Sequence, residues 1–218
     1  MPWLAEAASG TIADRVAADM AKRIAEGDIE PGDLLTELDV AEQFAVSRTP
    51  IREAMLALER WGLIRLAPKK GGVVTHPSVR ERTELLAVRS MLEREAFSML
   101  DRAAGAHAAL LEDLDAILAD QRAAIDEPRE FALRDYSFHL RLVGESDNRV
   151  VAEITTALGP RLYRLTRLAV DARAAALSEL HAEHVALRDA IASGDRATFD
   201  ALIASHLDAG HTSYELAQ

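Results

Sequence analysis

Past Ser78 the chain carries no strand signal, and this limits how most of its 218 residues can fold. Apolar residues recur at three- and four-residue intervals over roughly 79–102, 106–126, 129–145, 148–171, 176–193 and 196–215, which is the period of amphipathic helices. The breaks fall at Gly105, Pro128, Asp147-Asn148, near Asp171 and at Gly194-Asp195, residue types that stop helices. An all-α helical bundle is therefore expected over 79–218. Pro160, inside the fourth helix, is expected to kink it because proline removes an i→i−4 hydrogen bond.

The first 76 residues are patterned differently. Ile12, Val16, Met20 and Ile24 mark a helix over 11–26, closed by Gly27 and the Glu30-Pro31-Gly32 turn. Thr36, with Asp39 three residues on, reads as the N-cap of a short helix over 37–43. Ser47 is expected to cap the next helix, with Pro50 in its first turn, where a missing N–H costs little. Ile51, Met55 and Leu58 form that helix's apolar face. Leu63–Leu66 and Val73–Thr75 flank Ala-Pro-Lys-Lys-Gly-Gly, the pattern of a β-hairpin. His76-Pro77-Ser78 reads as a linker. The fold class is thus mainly α. A winged helix-turn-helix of three helices plus a β-hairpin is expected at 1–76, and an all-α bundle at 79–218.

Net charge is −11, which taken whole opposes nucleic-acid binding. Charge is local, however. Residues 44–76 hold Arg48, Arg52, Arg60, Arg65, Lys69 and Lys70 against Glu53 and Glu59 only, a net +4. One basic island on an acidic chain suits a compact DNA-reading surface. On a helix-turn-helix template over 37–56, small Ala41 faces the second helix. Ala45 takes the turn position, where glycine is commoner because φ is often positive. Ser47, Arg48, Thr49 and Arg52 then lie at the exposed N-terminal end of the second helix, the end that enters the major groove. Arginine can grip guanine O6 and N7 together, and hydroxyls and the helix N-terminus suit phosphate. Lys69 and Lys70 at the hairpin tip are expected to touch backbone or minor groove.

Val46-Ser47-Arg48-Thr49-Pro50-Ile51-Arg52-Glu53-Ala54, followed by Leu58-Glu59 and Gly62-Leu63-Ile64, resembles the signature of the GntR family of bacterial regulators over roughly residues 11–76. The resemblance implies that Arg48, Thr49, Arg52 and the Gly71–Gly72 wing tip contact operator DNA. Some members also use an arginine early in the preceding helix. Leu38 occupies that place here, so this contact is not carried over.

The C-terminal half has its own candidate chemistry. Asp135 and His139 are four apart and share a helix face. His184 and His206 stand about ten residues before and eleven after the Gly194-Asp195 turn. At a rise of about 1.5 Å per residue they reach nearly the same height on an antiparallel pair. Three imidazoles and a carboxylate could thus meet at one point, a set that suits zinc, nickel, manganese or iron. An isolated D-x-x-x-H on a helix is more often an accident than a ligand pair. His76, His107, His181 and His211 fit no such arrangement.

Leu85 to Glu93, Asp135-Tyr136-Ser137-Phe138-His139, and Glu183-His184 through Ala190-Ile191, Gly194-Asp195 and His206 resemble the FadR C-terminal (FCD) effector domain over roughly 79–216. The resemblance implies a divalent transition metal on Asp135, His139, His184 and His206, with zinc first and nickel, manganese or iron as alternatives. Arg89, with Glu93 four residues on, could form a simple intrahelical ion pair. The resemblance implies instead that it binds an effector carboxylate. Arg161 and Arg164, beside Pro160, are weaker effector candidates that read rather as surface residues, and Tyr163 as either core or cavity lining.

The chain contains no cysteine, so disulfides and thiolate metal sites are excluded. Its start has no basic, apolar leader pattern, and no apolar run reaches about 18 residues, so the cytoplasm is the expected location. A metalloenzyme would need a nucleophile or general-base motif, and the sequence has none. The expected function is sequence-specific regulation of transcription by a homodimer. Its operator affinity is expected to be set by a small organic or sugar acid bound at the metal, with no membrane partner.

Overall fold

The computed structural model describes residues 1–67, 70–100 and 104–216, with side chains described throughout these except at 104–106 and 209–216. Two compact units are present. One comprises Met1–Ser78 with Thr156–Arg164, the other Val79–Thr155 with Leu165–Gln218.

The first unit contains α1 (Pro2–Ser9), α2 (Ile12–Ala25), β1 (Leu34–Leu35), α3 (Glu37–Phe44), α4 (Arg48–Arg60), β2 (Ile64–Ala67) and β3 (Gly71–Val74). Thr11 opens α2 with a reciprocal box: Asp14 N donates to Thr11 Oγ1, and Thr11 N donates to Asp14 Oδ2, satisfying two N–H groups at the helix start. Val16, Met20 and Ile24 of α2 are buried, as are Ile51, Met55 and Leu58 of α4, which packs against it. Two elements go beyond three helices and a hairpin. Helix α1 forms around Trp3, which is 2% exposed and edge-on to Trp61. Strand β1 adds antiparallel to β3, giving the sheet order β1-β3-β2. Both are too short for apolar periodicity to reveal.

Between α3 and α4, Ala45 adopts φ +52 in the left-handed region. That conformation costs an L-residue about 1–2 kcal/mol relative to glycine. Ala45→Gly is therefore expected to stabilise the protein by about 0.5–1 kcal/mol, part of the relief being offset by the entropy glycine adds to the unfolded chain. Urea unfolding would measure it, and an unchanged midpoint would refute the claim.

The second unit holds α5 (Val79–Met99), α6 (Ala104–Ala123), α7 (Pro128–Gly144), α9 (Leu177–Ser193), α10 (Arg196–Leu216) and both ends of α8 (Arg149–Ala172), whose middle, Thr156–Arg164, belongs to the first unit. Asn148 caps α8 by accepting from Val150 N and Val151 N. The helix is continuous through Pro160. Gly194 closes α9 at φ +67. Leu110, Leu114, Phe138, Leu142, Ile191, Phe199 and Ile203 are fully enclosed in one core, with Phe97 stacked on Phe199 at 4.6 Å. A second cluster gathers Phe131, Ala132, Val170, Leu177 and Leu180. Among the described residues no helix is long and apolar enough to cross a membrane.

Candidate metal centre and nucleic-acid interface

Helix α7 turns Asp135 and His139 inward, one turn apart, while α9 supplies His184 and α10 supplies His206. All four are buried, and one ligand atom from each lies within 4.8 Å of the others. His139 Nε2 stands 3.2 Å from both His184 Nε2 and His206 Nε2, and His184 Nε2 lies 3.5 Å from Asp135 Oδ2. The opposite ring nitrogens are each held from outside. His139 Nδ1 lies 2.8 Å from Glu93 Oε2, His184 Nδ1 2.9 Å from Gln121 Oε1, and His206 Nδ1 2.7 Å from Glu183 Oε2.

These partners suit ligation: a neutral ring whose Nδ1–H donates to such an oxygen keeps its Nε2 lone pair for a metal. The Nε2 atoms of His184 and His206 each approach that of His139 to 3.2 Å, so a proton or a cation must lie between them. Tetrahedral donors about 2.0–2.1 Å from zinc stand about 3.3 Å apart, close to the observed spacing. Outer hydrogen bonds of this kind orient imidazole ligands and raise their basicity. The four side chains thus permit a metal site.

Electrostatics agree with that reading. Burial, and after it the charges of Arg89 and His206, pushes His139 well below the usual histidine range. Burial and then the neighbouring histidines do the same to His184. Both are therefore neutral at pH 7, the form that binds metal. Burial pushes Asp135 and Glu93 up, with Arg89 opposing it in each case. Burial would also raise Glu183, but hydrogen bonds from His206 and Arg173 outweigh it and bring the carboxyl to about 2.

Arg89 makes the ion pair with Glu93 that its spacing allows, Nε to Oε1 at 3.0 Å. Its Nη1 donates to Thr166 Oγ1. Its Nη2 is buried without a hydrogen-bond partner, 3.8 Å from Asp135 Oδ1. The same guanidinium lines a small cavity that reaches Asp135 and His206. Glu93, Gln121 and Glu183 were not singled out as partners of the histidines. Only Glu183, adjacent to His184, carried a local hint. Arg164, expected at the surface, is buried, because its Nη2 donates to the Thr75 carbonyl. Tyr163 is buried, with its hydroxyl donating to Glu26.

In the first unit, Ser47, Arg48, Thr49 and Arg52 are all exposed at the start of α4. Ser47 sits at the N-cap but its side chain makes no capping bond. Glu37 of α3 accepts from Arg52 Nε at 2.9 Å on both oxygens and lies 3.7 Å from Arg48 Nε. Nothing in the sequence pointed to this acid, which is fifteen residues from Arg52. Lys70 is exposed, and Lys69 lies outside the described residues. Gly71 has φ +105, and a Cβ there would meet the Leu35 carbonyl at 2.2 Å, so only glycine lets β1 join β3. Gly72 is buried against Ile64 and Met55, so packing accounts for its missing side chain. Leu38 is 54% exposed beside Arg48 and Arg52.

Residues 12–74 match the family model of bacterial regulatory proteins of the gntR family, and residues 84–209 match the FCD domain. The chain belongs to the GntR family and carries an FCD domain. It is 34% identical to the gluconate operon transcriptional repressor of Bacillus licheniformis, over 78% of this chain and 69% of that one. It is 25% identical to the regulator LutR of Bacillus subtilis (strain 168), over 84% and 92%. The solved structure of E. coli McbR/YncC shares the fold, with a TM-score of 0.77 at 21% identity, covering 96% of this chain and 100% of that one. GntR-family proteins are transcriptional regulators, not enzymes, and this one is a DNA-binding regulator of the GntR/FCD type.

Proposed function

We propose that the protein is a metal-dependent, acid-sensing regulator that binds its operator as a homodimer. Asp135, His139, His184 and His206 hold a divalent transition metal, zinc first, and Arg89 binds the carboxylate of a small effector beside it. One observation carries this reading: Arg89, whose Nη2 has no hydrogen-bond partner, lines one cavity with Asp135 and His206, two of the four clustered side chains. The Bacillus licheniformis relative, named as repressor of a gluconate operon, also favours an organic acid. The metal would supply a Lewis-acidic point for a carboxylate oxygen. An effector changes operator affinity only if it binds one state of the dimer better than the other. The test is operator affinity of metal-loaded protein with and without small acids. Arg89→Ala is expected to abolish the acid-dependent change, and a response that survives it would sink Arg89 as the anchor.

The domains divide this work as 1–76 for DNA and 79–218 for metal, effector and dimerisation. Arg48 and Arg52 read bases, while Ser47, Thr49, Lys69, Lys70 and the Gly71 backbone hold phosphate. The dimer follows from the two-fold sites such readers recognise. Glu37, by gripping Arg52 through Nε, aims the two Nη groups outward. Glu37→Gln is expected to lower the ratio of operator to non-specific affinity about tenfold, roughly 1.4 kcal/mol. Non-specific binding should hold or rise, since one negative charge is removed. Equal losses on both DNAs would show that Glu37 does not aim Arg52.

A further inference from the structure

We infer that the effector is a short acid of a few carbons with an apolar tail, not a polyhydroxylated sugar acid. This rests on the reading of the cavity beside Arg89 as the effector site.

The cavity has a volume of about 50 Å³. The chemistry of its wall selects the tail. Arg89, Asp135 and His206 line it together with Leu86, Leu165, Leu168, Leu180 and Leu207, and its surface is mostly apolar. A hydroxyl placed among these leucines loses its bonds to water and gains none. The polar groups nearby are already committed. Thr166 Oγ1 accepts from Arg89, Arg173 is tied to Glu183 through both Nη atoms, and Arg82 has partners of its own. A methyl or ethyl group loses nothing there and removes apolar area from water. The open donor is Arg89 Nη2, placed where a carboxylate oxygen would meet it next to Asp135.

The test is a matched pair of ligands. 2-Hydroxybutyrate and gluconate share a carboxylate with an adjacent hydroxyl and differ in the tail, ethyl against polyol. Isothermal titration of metal-loaded full-length protein with each, with metal content checked afterwards, isolates the tail. We expect 2-hydroxybutyrate to bind at least tenfold more tightly. Leu168→Asn, at a half-buried wall position, should shrink that ratio at least threefold, with a thermal melt confirming that the variant is folded. Gluconate binding as tightly as 2-hydroxybutyrate would overturn the inference while leaving the acid-sensing reading intact. If neither acid binds, the acid-sensing reading fails and this inference fails with it. An unchanged ratio in folded Leu168→Asn would also overturn it, because the leucine wall would not be what selects.

Discussion

Stripping metal from the loaded protein is expected to lower its unfolding free energy by about 4 kcal/mol, the linkage value at free metal a thousandfold above Kd. The size follows from where the cation would sit. Without it, the Nε2 atoms of His184 and His206 each stand 3.2 Å from that of His139 inside a buried site, and the cation that would tie them together is lost. Chemical unfolding with and without chelator reads the difference. Mass spectrometry of extensively dialysed protein should give about one metal per chain, and none in Asp135→Ala/His184→Ala. Failure of the parent to retain metal even after reloading would end the proposal. Acid should act like chelator, because protons compete for the same imidazole lone pairs.

The second large effect is expected at the DNA-reading face. Arg48→Ala/Arg52→Ala should weaken operator binding by about 2 kcal/mol or more, roughly thirtyfold, since each bidentate base contact supplies about 1–3 kcal/mol of discrimination. Both side chains are exposed, so the melting temperature should hold. The salt dependence separates roles. Base-reading arginines leave the slope of log affinity against log salt little changed, whereas Lys70→Ala, if Lys70 neutralises a phosphate, should reduce that slope by about one. A double variant that loses operator and random DNA equally, with a shallower slope, would reassign Arg48 and Arg52 to the backbone.

Much of this architecture could be read from residues, for identifiable reasons. Asp135 and His139 were legible as a pair because four residues make one helical turn. His184 and His206 were legible because Gly194 reverses the chain midway between them. The helix-turn-helix was legible through a run of motif residues despite Ala45, where glycine is commoner, and the φ of +52 at Ala45 realises the turn that the position requires. What stayed hidden depends on contacts between distant segments. Gln121 reaches His184 across 63 positions, and Glu93 reaches His139 across 46. Glu93 was read only as a partner for Arg89, yet its two oxygens serve both residues. Helix α1 and strand β1 are made by burial and by pairing, neither of which leaves a period in so few residues.

The wiring around the four inward side chains has a mechanical consequence. Glu93 comes from α5, Gln121 from α6, Asp135 and His139 from α7, Thr166 from α8 through Arg89, Glu183 and His184 from α9, and His206 from α10. Every helix of the second unit is therefore laced to one small volume. A chain without a single cysteine would then possess a cross-link that closes a loop of 67 residues between His139 and His206. It would hold distant segments together in the folded state only, since the unfolded chain keeps no preformed site. Unlike a disulfide, it would ignore reductants and loosen with acidity or metal starvation.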